Sequence, residues 1–447
     1  MSTYYIKTFG CQMNHSDSER MASFLEKLHL EPTSKINEAD LVIFNTCGVR
    51  QMAENRIYGQ VRNLKRNKSE VKIILTGCIS QRKDVQRRMK DKIDLFFSIN
   101  DFSKFENWLN ENLKFKISPQ KDNALSGENI SYLSINPKYS NKYQAYVPIM
   151  TGCNNFCSYC VVPHARGREV SRPSEEVLAE IRELVKKGYK QITLLGQNVN
   201  SYKSPSDAMS FSELLRKVND LKGDFWIQFV SSHPKDMSDE LIEALTSLSK
   251  VCENVHLPVQ AGDDEVLKNM NRRYTQKHYL GLIEKIKKGF EKNKPEKIYS
   301  ITSDIIVGFP GETVSQLEES ASVMKKCEFD MVFFGQFSPR PETVAWDMKD
   351  DVSDEEKVRR EKYLNEILKK TSHKNNKKYV GGVFDVIIER EKSGFYFGKT
   401  RTLKNVKVAI PANCHPELDS GSRDIIGTIQ KVKITKANVW SLFGELV

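Results

Sequence analysis

Short apolar runs closed by Gly, Asn or Thr alternate with stretches of helical period near the start of the chain. The runs are YYIKTFG from Tyr4, DLVIFNT from Asp40, VKIILTG from Val71 and IDLFFSI from Ile93, and their length and β-branched content predict strands. Between them DSERMASFLEKLHL and AENRIYGQVRNLK repeat apolar residues every three or four positions. Strand, helix and strand in repetition demand crossovers, which make the strands parallel and cover the sheet with helices. Residues 1–117 are therefore expected to form a parallel-sheet α/β domain.

From 118 to 140 the apolar content drops and Ser, Asn, Lys and Gly accumulate, as in a linker. The alternation resumes with AYVPIM from Ala145, QITLLG from Gln191, FWIQFV from Phe225, NVHLPV from Asn254, YSITSDIIVG from Tyr299 and MVFFGQF from Met331. These units predict a partial (β/α)6 barrel over residues 141–372, whose chemistry sits in the loops after the strands. Its first helix is well marked: Ser174 as cap, Glu175 and Glu176 in the first turn, an apolar stripe of Val177, Ile181, Leu184 and Val185, and Gly188 as stop. Past a charged helix near Asp354 to Lys370 the period shortens to two in FDVIIERE, GFYFGKTRT, NVKVAI, GTIQKVKIT and ANVWSLFGEL. Residues 373–447 thus predict a small antiparallel β-barrel of a kind that often binds oligonucleotides. PANCHPELDSGSRD, from Pro411, is longer than such a barrel needs and reads as a surface insertion, with Cys414 and His415 facing solvent.

With 447 residues, 39% hydrophobic and 28% charged, the chain can bury more than one core. MSTYYIKTFG has no basic stretch leading into an apolar run, and no segment approaches the roughly eighteen apolar residues of a membrane span. A soluble, cytoplasmic monomer is expected. A reducing compartment disfavours disulfides, so nine cysteines point to metal binding or catalysis. The net charge is +11, with basic residues grouped in RNLKRNKSEVK, QRKDVQRRMKDK, EKIKKGFEKNKPEK and LKKTSHKNNKK. Any one run is equally a solvated helix face; together they favour a polyanion, without choosing among tRNA, ribosome and DNA.

Six cysteines fall into two groups. Cys153, Cys157 and Cys160 in TGCNNFCSYC have C-x3-C-x2-C spacing, in the loop after the first barrel strand. Three soft thiolates in one loop suit a 4Fe-4S cluster with its fourth iron open, and an open iron can chelate the amino and carboxylate groups of a small molecule. A zinc knuckle competes, because His164 completes C-x3-C-x2-C-x3-H. Cys11, Cys47 and Cys78 each directly follow a strand, in YIKTFGC, LVIFNTC and IILTGC. Parallel strands end on one sheet edge, where ligands bind, so these three can converge on a second cluster. Buried core thiols are the plainer alternative, more natural for one or two than for three in equivalent places. Cys252 and Cys327 lack partners at ligand spacing and read as structural.

C-x3-C-x2-C with Tyr159 before the third cysteine, in the first loop of a β/α barrel, resembles the radical S-adenosylmethionine superfamily. Two cysteine groups in this order, then a small β-barrel, are similar along nearly the whole chain to the methylthiotransferase family. FGCQMNHSDSERM, NTCGVRQMAENR, AYVPIMTGCNNFCSYCVVPHARGREVSRP, TLLGQNVNSY, HLPVQAGDDEVLKNMNRRYT and TSDIIVGFPGET look like its MiaB branch. The Cys-Gln-Met-Asn at Cys11 and GREVSRP are the branch markers. The RimO branch, which acts on a ribosomal-protein aspartate, typically has Pro-Lys-Asn after that cysteine. A third branch, acting on threonylcarbamoyladenosine in tRNA, is the nearer rival. The chain departs from the pattern at Ala261-Gly262-Asp263, where Ser-Gly-Ser is usual, at Glu342, where Gly is common, and at the Pro411 insertion.

The resemblance implies an auxiliary 4Fe-4S cluster on Cys11, Cys47 and Cys78, a radical-forming 4Fe-4S cluster with S-adenosylmethionine on Cys153, Cys157 and Cys160, and a C-terminal TRAM domain for RNA. It implies a transferase that replaces the C2 hydrogen of N6-isopentenyladenosine, at position 37 in the anticodon stem-loop of tRNA, by a methylthio group. One S-adenosylmethionine would supply the methyl group and a second the 5′-deoxyadenosyl radical, with flavodoxin or ferredoxin as electron donor. An aryl C–H offers no acid–base route, so cofactors carry the difficult step and no catalytic side chain is singled out. Gly196, Gln197 and Asn198 after the second barrel strand, His256 and Gln260 at the end of the fourth, and Phe156 in the cysteine loop are the candidate S-adenosylmethionine contacts. His256 is equally a satisfied core histidine and Phe156 a core aromatic. Asp304 and Arg340 also fall near strand ends, without an assigned role. Two non-enzymatic readings stand beside this one: an iron–sulfur electron carrier, for which the chain is oversized, and an RNA-binding redox sensor, which needs no open iron.

Overall fold

The first apolar runs lie side by side in one parallel sheet. In the computed structural model, which describes residues 2–48, 51–112, 132–410 and 425–447, the strands are β1 (Thr3–Phe9), β2 (Glu31–Pro32), β3 (Leu41–Thr46), β4 (Lys72–Gly77) and β5 (Leu95–Phe96). Their order is β2-β1-β3-β4-β5, with every neighbouring pair parallel, as in flavodoxin-like doubly wound sheets. The crossovers are α1 (Gln12–Lys27), α2 (Gln51–Asn67) and α3 (Lys83–Met89), and α4 (Phe102–Asn112) follows. With helices on both faces, β3 is apolar on both sides rather than alternating. Ile43 and Ile74 pack with Phe24, Phe97 and Phe105 toward α1 and α4, while Val42, Phe44 and Leu75 pack with Ile57, Val61 and Val85 toward α2 and α3.

Residues 113–131, which include most of the expected linker, lie outside the described residues. Its later part is packed: Tyr132, Leu133 and Ile135 are buried in the core that holds Phe24 and Phe105. Beyond it come β6 (Gln144–Pro148), β7 (Met150–Thr151), α5 (Val162–Arg166), β8 (Val170–Ser171), α6 (Ser174–Lys186), β9 (Gln191–Leu195), α7 (Phe211–Asn219), β10 (Trp226–Phe229) and α8 (Asp239–Ser247). The second half of the barrel is β11 (Asn254–His256), α9 (Asp264–Asn269), α10 (Gln276–Asn293), β12 (Ser300–Val307), α11 (Val314–Cys327) and β13 (Met331–Gln336). The six barrel strands divide into parallel sheets β10-β9-β6 and β11-β12-β13, joined by a bridge between Ile227 and Val251. Ala145, Val147, Ile192, Leu194, Ile227, Ile301, Ile305 and Val332 are buried on one side. By alternation Tyr146, Thr193, Gln228, Thr302, Asp304 and Phe333 take the other side, the lumen.

Helix α6 corrects one expectation. Pro173 occupies the cap and Ser174 is the first helical residue; the Ser174 hydroxyl is drawn instead to Asp207, 2.7 Å away. Gly188 does end the helix, at φ 87° with its N–H on the Val185 carbonyl.

After α12 (Asp354–Lys377), whose first turn is capped by Ser353, β14 (Val383–Lys392), β15 (Phe395–Thr400), β16 (Asn405–Ala409), β17 (Ile429–Ala437) and β18 (Leu442–Leu446) close into a barrel in the order β14-β15-β16-β18-β17. The barrel is not wholly antiparallel: β16 and β18 pair in parallel, because closure seats the last strand beside the third in the same sense. The Pro411 insertion, with Cys414 and His415, lies outside the described residues. This small barrel docks on residues at or just before the starts of β10, β11 and β12. Ile387 packs on Trp226 and Cys252, the Arg401 guanidinium forks onto Glu253 at 2.7 and 3.0 Å, and the Ser300 hydroxyl donates to the Thr402 carbonyl at 2.8 Å. Cys252 thus serves packing, as does Cys327 in the main core. Among the described residues no helix is long and apolar enough to cross a membrane.

Candidate active site at two cysteine-bearing sheet edges

Strand register aligns the first cysteine group. Phe9 pairs with Thr46 and Thr46 with Gly77, so the next residues continue the ladder: Cys47 N–H donates to the Phe9 carbonyl (2.7 Å) and Cys78 N–H to that of Thr46 (2.8 Å). The close approach needs glycine. A Cβ on Gly77, at φ 86°, would stand 2.3 Å from the Thr46 carbonyl oxygen, and one on Gly48 would stand 3.1 Å from the Cys78 Cβ. Cys47 and Cys78 are buried. Cys11, at the start of α1, opens on the crevice and its thiol donates to Asn14 Oδ1 (3.2 Å). Surrounding protein desolvates that thiol and raises its pKa; the Arg166 charge opposes the rise and Cys78 adds to it.

Arg166 is the buried cation of this edge. Its Nη2 donates to Asp17 at 2.6 Å, both side chains almost wholly enclosed, while Nη1 is buried without a hydrogen-bond partner. Arg340, also buried, has the Glu54 carboxylate, the Arg82 guanidinium and the Cys47 thiol as neighbours. The segment carrying Arg166 joins the two edges: the carbonyl of the next residue, Gly167, accepts from Cys153 N–H at 3.2 Å.

The second group sits in the loop after β7. Gly152, at φ 79°, starts the loop where a Cβ would stand 2.0 Å from the Arg168 carbonyl oxygen. Phe156 takes φ 48°, its ring under the Arg168 guanidinium at 4.4 Å. Desolvation raises the Cys153 thiol and pushes Cys160 up to about 12, with Cys157 adding to both shifts, while backbone N–H groups of Asn155 and Val162 work in the opposite sense. Such thiols stay protonated at neutral pH until iron displaces the proton. Cys157 instead accepts from Arg272 Nη1 at 3.2 Å.

His164, the fourth ligand of the zinc alternative, is exposed on α5, and among the described residues no group of three or more His, Cys, Asp or Glu side chains is drawn together as a metal site, neither cysteine group included. The cluster reading fits the donor chemistry better, since each group offers three thiols on neighbouring segments.

Around the second group the S-adenosylmethionine candidates divide. Asn198 Nδ2 donates to Asp236 (2.8 Å), but its Oδ1, the Gln197 Oε1 and the Ser232 hydroxyl are buried without partners, at the ends of β9 and β10. Unpaired buried acceptors are costly unless a ligand supplies donors, and an amino group fits. Gly196 leaves no room for a side chain, its Cβ position lying 2.5 Å from Met150 Cγ. Gln260 takes φ 69° and is held by backbone bonds with Asp304 and Ile306. His256 is satisfied by Thr302 (3.0 Å) and lies 3.5 Å from Asp304, with Phe333 edge-on at 6.1 Å. It faces the lumen rather than the core.

Sequence reasoning left Arg166, Arg272, Asn271 and His233 unassigned. Arg166 lies beside GREVSRP and the other two asparagine and arginine positions lie in NMNRRYT, strings already quoted for the resemblance, so the signal was present as pattern without a contact to explain it. Burial, then the nearby Arg272 and Lys235 charges, lower the His233 pKa to about 2; its neutral ring accepts from Lys235 N–H and lies edge-on to Tyr274.

On the C-terminal barrel, Phe395 and Phe397 share one face of β15. Lys407 lies 3.6 Å from the first ring centroid and Arg390 5.1 Å from the second, a basic and aromatic surface suited to nucleic acid.

Three family profiles match the chain: the radical SAM superfamily over residues 147–324, the uncharacterized protein family UPF0004 over 3–98, and the TRAM domain over 377–447. A tRNA-2-methylthio-N(6)-dimethylallyladenosine synthase of Thermoanaerobacter sp. is 40% identical over 459 residues, covering 99% of this chain and 92% of that protein. The protein of the same name from Clostridium botulinum is 41% identical over 452 residues, covering 99% and 96%, and that from Finegoldia magna 40% over 458, covering 100% and 94%. Among solved structures, a radical S-adenosylmethionine methyltransferase from Kitasatospora setae shares the fold, with TM-score 0.51 at 13% identity over 77% of this chain and 75% of that one. The chain belongs to the family of tRNA-2-methylthio-N(6)-dimethylallyladenosine synthases, radical S-adenosylmethionine enzymes with a TRAM domain.

Proposed function

We propose that this chain acts on tRNA, replacing the C2 hydrogen of N6-isopentenyladenosine by a methylthio group. The observation that carries the reading is the pairing of two cysteine edges through the Arg166–Gly167 segment, in a chain 40% identical along its length to synthases of that name. When bound, two 4Fe-4S clusters and S-adenosylmethionine supply the radical and sulfur chemistry that an aryl C–H bond demands. Cys153, Cys157 and Cys160 would hold one cluster, and Cys11, Cys47 and Cys78 the other. Gln197, Asn198 and Ser232 would take the amino end of S-adenosylmethionine with acceptors that the protein leaves unpaired. Gln260 and the lumen residue His256 would line the same cavity, and Phe156, braced by Arg168, would shape the cysteine loop. The TRAM domain would hold tRNA through the β15 face while the anticodon stem-loop reaches the strand ends, its docking on Trp226 and Glu253 fixing it relative to the barrel. A one-electron donor of the flavodoxin or ferredoxin type, a monomeric state and a cytoplasmic location belong to the same proposal.

The test is anaerobic reconstitution followed by turnover on tRNA bearing N6-isopentenyladenosine at position 37, with nucleosides read by mass spectrometry. About eight iron atoms per chain, falling to about four on removal of either cysteine group, and formation of the 2-methylthio nucleoside are expected. Turnover of threonylcarbamoyladenosine instead would transfer the chain to the sister branch.

A further inference from the structure

The segment NMNRR, from Asn269 to Arg273, enters none of the roles above, yet it grips the cysteine loop residue by residue. Ser158 N–H donates to the Met270 carbonyl (3.0 Å) and the Ser158 hydroxyl to that of Asn269 (2.8 Å). Asn271, at φ 54°, turns its Nδ2 onto the Phe156 carbonyl (2.8 Å). Arg272 Nη1 then reaches the Cys157 sulfur (3.2 Å).

The guanidinium is not free to wander. Its Nε donates to the Tyr274 hydroxyl (3.1 Å) and Nη2 to the Pro258 carbonyl (3.4 Å), and the Tyr274 hydroxyl donates onward to the Val259 carbonyl (2.7 Å). Arg272 is 8% exposed. The cysteine loop is therefore unevenly served: backbone N–H groups of Asn155 and Val162 face Cys153 and Cys160, the Arg272 charge also acting on Cys160, whereas Cys157 alone takes a direct hydrogen bond from that fixed, enclosed guanidinium. Arginine carries its charge at any working pH, and hydrogen bonds and charge at ligand sulfurs are among the levers that set an iron–sulfur potential. In an enclosed site such a charge is poorly screened.

We propose that Arg272 is a positioning and potential-setting residue for the radical-forming cluster, holding the Cys157 thiolate by a charge-assisted hydrogen bond and easing one-electron reduction of the group bound there. Reduction by an external one-electron donor of the flavodoxin or ferredoxin type would add one negative charge beside the guanidinium, so the cation favours the reduced form over the oxidised one. The inference rests on Cys153, Cys157 and Cys160 being the cluster ligands, and the test separates the two claims.

The full chain carrying Cys11→Ala, Cys47→Ala and Cys78→Ala isolates the radical-forming cluster of Cys153, Cys157 and Cys160, whose midpoint potential is read by titration monitored with electron paramagnetic resonance. If this background takes up no iron, the ligand assignment fails. In it, Arg272→Gln and Arg272→Met are expected to keep iron at about four per chain and to shift the potential negative, with Arg272→Lys between them and the parent. Asn271→Ala, which loosens the loop without removing charge, should leave the potential in place. An unchanged potential in Gln and Met variants at full iron overturns the proposal. So does a shift of equal size in Asn271→Ala, or loss of iron in all three Arg272 variants including Lys, since either assigns Arg272 to holding the loop alone.

Discussion

At the scale of residues, the two edges are organised by buried arginines whose partners differ in kind. Arg166 meets a carboxylate, Asp17, and removing one partner of an enclosed ion pair strands the other, at a cost of about 3–5 kcal/mol. Arg166→Met should therefore lower the unfolding free energy by about that amount in denaturant titrations of the iron-free chain. Adding Asp17→Asn to Arg166→Met should recover at least half of it; a loss under about 1 kcal/mol for Arg166→Met alone would show that the pair is not enclosed in solution. Gln197 is a different case, because its unpaired Oε1 awaits a donor. A hydrogen bond to a charged group contributes about 1.5–3 kcal/mol, so Gln197→Ala should weaken S-adenosylmethionine binding at least tenfold by equilibrium dialysis of the reconstituted protein, with unfolding little changed. Affinity equal to that of the parent would remove Gln197 from the site.

At the scale of elements, the sequence was legible where a local rule decides the outcome. Runs such as DLVIFNT and VKIILTG became β3 and β4 because an apolar, β-branched run between helices has one stable place, the middle of a parallel sheet. The cysteines at their ends followed from the shared edge. What was not legible depends on partners remote in sequence: the Ser174 hydroxyl left the cap for Asp207, β16 met β18 in parallel, and Arg272 reached Cys157 across more than a hundred residues. His256 shows the boundary, since composition allowed a core or a pocket place and only the strand register turned it to the lumen. Gly152 carries a prediction at this scale. Alanine there meets both a positive φ and the Arg168 backbone, which costs at least about 1–3 kcal/mol and displaces the loop that begins at Cys153. Gly152→Ala should bind about four irons instead of about eight. Gly59→Ala, in open space on α2, should keep the full complement and gain up to about 1 kcal/mol.

At the scale of the whole molecule, enclosed ion pairs fasten the outer domains to the central barrel: Asp17 with Arg166 on one side, Asp330 with Lys404 on the other, and beside them two carboxylates whose pKa values are lowered. Glu180 on α6 receives Arg20 from α1 (3.2 Å), Arg172 (2.7 Å) and the Tyr139 hydroxyl (2.5 Å), and Glu253 receives Arg401 from the small barrel. Burial pushes both carboxyl groups toward the neutral form, but Arg20 and Arg172 at Glu180, and Arg401 at Glu253, outweigh it and leave both pKa values lowered. Lys294 also touches Glu253 at 3.1 Å and, after Arg401, helps hold its pKa down, although burial lowers the pKa of Lys294 itself. A carboxylate whose folded pKa is depressed contributes stability above its ordinary value, here 4.5, and loses it as pH falls through the lower folded value. The outer domains should thus come loose below about pH 4.5 while the barrel core, held by apolar packing, persists. Small-angle scattering should show the radius of gyration rising from neutral pH to about pH 3, with far-ultraviolet circular dichroism still largely native. In a chain carrying Glu180→Gln and Glu253→Gln these two carboxylates no longer titrate while the Asp17–Arg166 and Asp330–Lys404 pairs remain, so expansion should be present in part already at neutral pH and rise less with acid than in the parent. A parent chain that keeps its radius down to about pH 3 would mean that apolar contacts such as Ile387 on Trp226, rather than the ion pairs, fix the arrangement of the domains.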